Sequence, residues 1–163
     1  MKQVNRVERL HDVLDAEYAI TRCFGHLSGL IRNGRIRNRF ISFAETAQNN
    51  QRLLKDRLAG LGVEEVAEGR ACHLCKVNPE SFSLSGALNL GMELTNKASA
   101  FYRELLSSAP TEEDRRLFGT LMREKHGQHG FLKKEKKFVR KEDDDLSLID
   151  SYCIDEVISK LWT

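Results

Sequence analysis

The sequence predicts an all-α protein: a bundle of two helical hairpins joined by a long crossover, with a short helix at the C-terminus. Three observations carry this. Apolar residues recur at three- and four-residue spacing through four long stretches, only two prolines interrupt 163 residues, and two short links flank one long one. The length suits one domain with a single core. Aromatic residues make up 7%, and a composition of 40% hydrophobic and 31% charged residues is that of a globular chain.

Leu10, Val13, Ile20, Phe24, Leu27 and Ile31 share one helical face, which predicts a first helix from about Gln3 to Arg32. Asn33-Gly34 is a turn signal. Phe40, Phe43, Ala44, Ala47, Leu54 and Leu58 then restart the period, giving a second helix that ends near Gly60 or Gly62. Residues 63–83, "VEEVAEGRACHLCKVNPESFS", lose the period, and a link of this length is more than antiparallel neighbours need.

The third helix, Leu84 to Ala109, carries Leu88, Gly91, Leu94, Thr95, Ala98, Phe101, Tyr102 and Leu105 on one broad side and stops before Pro110. Thr111 followed by Asp114 has the pattern of an N-terminal cap, with acids suited to the positive end of the helix dipole. The fourth helix runs on to about Phe138. These elements make a bundle domain of residues 1–138, with the crossover at about 63–81. Residues 139–163 form a linker and an amphipathic segment bearing Leu146, Ile149, Tyr152, Cys153, Val157, Leu161 and Trp162.

Polar residues interrupt the inward faces. Glu17 lies within the apolar stripe of the first helix, so it either reaches solvent along its stem or needs a partner or a cation. Glu45 and Gln48, three apart on the second helix, are spaced to converge on one point or to stand exposed as a pair. Thr95 can bond back to its own helix. His126 and His129 follow Phe118 and Met122 on the fourth helix; they are spaced for a transition metal, and equally for two solvated imidazoles. Gly127 and Gly130 beside them suggest close helix packing or a weak point.

The segments "ALNLGMELTNKASAFYRELLSSA" and "LFGTLMREKHGQHGFLKK" resemble the third and last bundle helices of the rubrerythrin-like branch of the ferritin-like superfamily. The resemblance covers about Val13 to Lys134 in architecture and those two helices in motif. It implies a di-iron site with one carboxylate from each of two helices and a Glu-x-x-His pair from each of the others. By that correspondence Glu17 matches the first carboxylate and Glu45 the first motif's acid, with Gln48 in place of its histidine. Thr95 replaces the other carboxylate, His126 replaces the second motif's acid, and His129 matches its histidine.

The ligand set is therefore degenerate, and the resemblance points away from a standard di-iron oxidase and from an enzyme. Glu17, Glu45, His126 and His129 would supply two carboxylates and two imidazoles to one Fe, Mn or Zn ion, with Gln48 and Thr95 as supporting hydrogen-bond partners. Alternatively the site is lost, and the chain is a helical interaction protein.

Cys72 and Cys75 flank His73 in "CHLC", which suits a thiol switch, part of a zinc site, or two ordinary loop thiols. With no apolar run of signal-peptide length at the N-terminus, the expected location is cytoplasmic. A net charge of +2 gives no sign of nucleic acid or membrane as partner, and the acids Glu135 and Asp143 to Asp145 offset the lysines around them. The expected partners are further copies of the chain, as in a dimer, or another protein docked through the C-terminal helix.

Overall fold

The computed structural model describes residues 2–64 and 83–139, with side chains from Asn5 onward in the first helix. Four helices account for them: α1 (Lys2–Ser28), α2 (Gly34–Gly60), α3 (Leu84–Ser107) and α4 (Glu112–Lys136). No strand occurs among the described residues. The expected connection around Cys72 and Cys75 and the expected C-terminal helix lie outside them.

The first helix ends four residues before the boundary that periodicity predicts. Leu30 and Ile31 remain buried, but in a turn, because Asn33 already caps the next helix by accepting a hydrogen bond from the Ile36 amide at 3.1 Å. An Asn side chain here satisfies an amide that has no partner within its own helix. α2 closes at Gly62, whose φ of +86° is a left-handed turn that glycine adopts without strain. The expected cap of α4 is present: Thr111 Oγ1 accepts from the Asp114 amide at 3.1 Å.

Interactions at the helix ends fix the directions. Arg6, near the start of α1, meets Asp114 at the start of α4, Arg57 near the end of α2 reaches the same carboxylate, and Arg9 donates to the Ser108 carbonyl beyond α3. At the far end Arg35, opening α2, pairs with Glu135, closing α4. Thus α1 and α4 run one way, and α2 and α3 the other. α1 packs against α2 and α3, α3 packs against α4, and α2 reaches α4 through Phe43 and Phe131. α1 and α4 face each other across the core.

The core's upper half is aromatic. The Phe24 ring meets Phe40 and Phe43 edge-on, with centroids 5.1 and 5.3 Å apart, an arrangement that adds to the burial of the rings themselves. Gly91 makes room beside it. A Cβ there would stand 2.9 Å from Leu132 Cδ1 and 3.1 Å from Phe24 Cε1, so the glycine is what lets α3 approach its neighbours. Gly127 and Gly130 have no such role: an added Cβ at either meets nothing within 4 Å, which removes close packing within the bundle as their explanation.

Candidate functional site

About two turns below the aromatic layer, all four helices send polar groups to one level. Glu17, the acid within the apolar stripe, is fully buried there. Its Oε1 accepts a hydrogen bond from the Tyr102 hydroxyl at 2.6 Å and lies 3.1 Å from Lys125 Nζ. Its Oε2 accepts from the same ammonium at 3.2 Å and from Asn50 Nδ2 at 3.3 Å. Both oxygens are occupied.

Lys125 is itself fully buried, and its ammonium also donates to Glu124 Oε1 at 2.7 Å. Asn50 bridges the two acids by donating to Glu124 Oε1 at 2.8 Å. Gln51 completes the level from α2, donating to Thr21 Oγ1 at 2.7 Å and to the Glu17 carbonyl at 3.4 Å. An ammonium between two carboxylates offsets charge that burial would otherwise make expensive.

Burial raises the Glu17 carboxyl above its usual 4.5, against the pull of the Lys125 charge and the Tyr102 hydrogen bond, which act in the other direction. The proton is therefore held more tightly in the folded chain than in the unfolded one. At the bundle's base the order of effects differs: the hydrogen bond that Arg6 donates to Asp114 leads in raising its guanidinium.

The four expected ligands do not converge. Glu17 is in the core, whereas Glu45 and His126 are exposed and His129 is half-buried. The reason is register. On α4 the buried line runs Leu117, Leu121, Lys125, Gln128 and Leu132, so it is Lys125 that faces Glu17, and His126 sits about 100° further round the helix. On α2 the line runs Ala44, Ala47, Gln51 and Leu54, which turns Glu45 and Gln48 outward.

His129 does meet Thr95, though not as a ligand pair. Its Nδ1 lies 3.0 Å from the Met92 carbonyl and 3.5 Å from Thr95 Oγ1, while Thr95 donates to the Gly91 carbonyl of its own helix at 2.8 Å. With the carbonyl as acceptor, Nδ1 carries the proton. Among the described residues no three His, Cys, Asp or Glu side chains are grouped as a metal site. The chemistry of the central donors agrees: an ammonium, a phenol and the Asn50 amide crowd the Glu17 carboxylate, and these do not fit a divalent cation.

Asn50, Gln51, Glu124 and Lys125 are thus the polar residues that the sequence reading passed over. The signal was present in the spacing of Lys125 from Leu121 and Leu132, and of Gln51 from Ala47 and Leu54. Cys72 and Cys75 lie outside the described residues. No described helix is long and apolar enough to cross a membrane.

No family model and no curated protein matches the chain. Among the solved structures that resemble it in fold are two hypothetical proteins. A conserved hypothetical protein from Mycobacterium tuberculosis superposes with a TM-score of 0.68 at 19% identity, over 82% of this chain and 91% of that one. A hypothetical protein from Pyrococcus furiosus gives 0.67 at 22% identity, over 80% and 87%. The helical bundle is therefore an arrangement found in other proteins.

Proposed function

We propose that this chain is a ferritin-like bundle in which the Lys125 ammonium stands where that superfamily holds metal, and that it serves as a non-catalytic helical interaction protein. The observation that carries this is the contact of Lys125 Nζ with both oxygens of the buried Glu17, at 3.1 and 3.2 Å. A cation bonded covalently to the chain supplies the positive charge that the carboxylate needs. The ferritin-like assignment draws support from the helix directions. α2 ends at the base of the bundle and α3 begins at the opposite end, the relation between second and third helices that a crossover bundle has.

Elemental analysis after exposure to Fe, Mn and Zn tests the proposal. The expected result is sub-stoichiometric metal that is the same in the wild type and in Glu17→Gln. One ion per chain, lost in that variant, would overturn it and restore a metal-binding reading. For the interaction role, the apolar pattern from Leu146 to Trp162 is the expected contact. Deleting residues from Leu146 onward should abolish self-association in sedimentation while leaving the bundle's helicity intact. Unchanged association would remove this segment as the interface.

A further inference from the structure

The net charge of +2 hides a strong asymmetry. The α1–α2 turn, the start of α2, the start of α3 and the last turns of α4 meet at one end of the bundle, as the Arg35–Glu135 pair and the Gly91–Leu132 contact fix. The segments that build this end, 22–45, 83–93 and 126–139, contain nine Lys and Arg against three acids, Glu45, Glu93 and Glu135. Locally that is +6. Arg32, Arg35, Arg37, Arg39, Lys133, Lys134, Lys136 and Lys137 are all exposed.

Among the described residues little of this charge is neutralised. Glu135 is buried beneath Arg35, and Arg39 lies over the Phe131 ring at 4.7 Å, while Arg32, Arg37 and the four lysines form no ion pair among the described residues. The opposite end, by contrast, interleaves Arg6, Arg57, Arg115 and Arg116 with Glu112, Glu113 and Asp114. The same composition could have been spread evenly, but here repulsion among like charges is left standing on one end.

We propose that the basic end of the bundle is a docking surface for the phosphate backbone of a nucleic acid. The physical ground is the release of counterions when clustered cations replace them along a polyanion, a gain available wherever several cations lie within a Debye length of one another. Four of the eight exposed cations are arginines, whose planar fork donates two hydrogen bonds to one phosphate. A bilayer is the less favoured partner: among the described residues Phe138 and Ile41 are the large apolar side chains exposed at this end, too few for the contiguous apolar face that insertion requires. Backbone contact positions a nucleic acid without reading bases, so the surface is expected to bind with little sequence preference. This inference stands apart from the state of the core.

The test is fluorescence anisotropy of the full chain with labelled single- and double-stranded oligonucleotides of mixed sequence, at about 50 mM and about 200 mM salt. The full chain matters because the acids at 142–145 follow this end directly and weigh in the result. Binding is expected, with log affinity falling against log salt at a slope of about −0.9 for each phosphate engaged on the duplex and about −0.7 on the single strand. Arg32→Glu/Arg37→Glu and Lys133→Glu/Lys137→Glu should each weaken it about tenfold or more. Arg115→Glu/Arg116→Glu, at the other end, should leave it unchanged. None of these six side chains is buried, and circular dichroism confirms that each variant is folded. No binding at the lower salt, equal loss in all three variants, or retention on phosphatidylserine vesicles without binding to oligonucleotide would each overturn the proposal.

Discussion

The centre of the bundle and its acidic-basic base solve one problem, a charge kept from water, in opposite ways. At the centre, Glu17 and Lys125 are both fully buried; Glu17 has Lys125 plus the neutral Tyr102 and Asn50, and Lys125 has Glu17 plus the half-buried Glu124. At the base, Asp114 is fully buried, but Arg6 and Arg57, which hold it, keep 19% and 21% of their side-chain surface in solvent. Arg6 grips the carboxylate through two parallel hydrogen bonds, of 2.7 and 2.9 Å, and can stay hydrated on its outer side. The difference teaches that the central pair depends on complete satisfaction, whereas the base tolerates the loss of one contact.

Breaking the centre should therefore have the largest effect. Lys125→Met leaves a buried carboxylate without its counter-charge and is expected to cost about 3–5 kcal/mol in urea unfolding. The double variant Glu17→Gln/Lys125→Met should recover much of that. A single variant that unfolds like the wild type would show that the pair is not coupled as its geometry implies.

At the base, Asp114→Ala is expected to cost roughly 1–3 kcal/mol, because its partners can turn to water. That cost should shrink in about 1 M salt, where screening acts over roughly 3 Å, while the cost of Lys125→Met changes little. Equal salt dependence at both places would erase the contrast.

The smallest effect is a slope with pH. Below the ordinary Glu17 value of 4.5 the carboxyl is protonated in folded and unfolded chains alike. As pH rises past that value the unfolded chain releases the proton first, since the folded value is raised, so the contribution of Glu17 to stability falls. Between about pH 4 and pH 7 the wild type should lose stability relative to Glu17→Gln in paired denaturation curves. A gain over that range would mean that Lys125 outweighs burial.

The four helices were legible because long apolar stripes leave little choice, and Glu17 was legible because an acid inside such a stripe demands an explanation. Lys125 occupies the same kind of position on α4, but lysine is so seldom fully buried that spacing from Phe118 and Met122 points one residue further, to His126. That shift moved the expected site to the helix exterior. Gln51 and Asn50 were hidden for a related reason: a polar residue on a stripe is recognised as central only when its partners on three other helices are known.

The level that gathers Glu17, Asn50, Tyr102 and Lys125 also bears on how the chain folds. Each hairpin can form from contacts close in sequence, but the Glu17–Lys125 bond joins residues 108 apart and closes only when the hairpins meet. Docked one turn out of register, the second hairpin would bring Leu121 or Gln128 opposite Glu17 and strand the ammonium among apolar groups. The polar level is in this sense a proofreading step of assembly, slow to form and intolerant of a shifted partner.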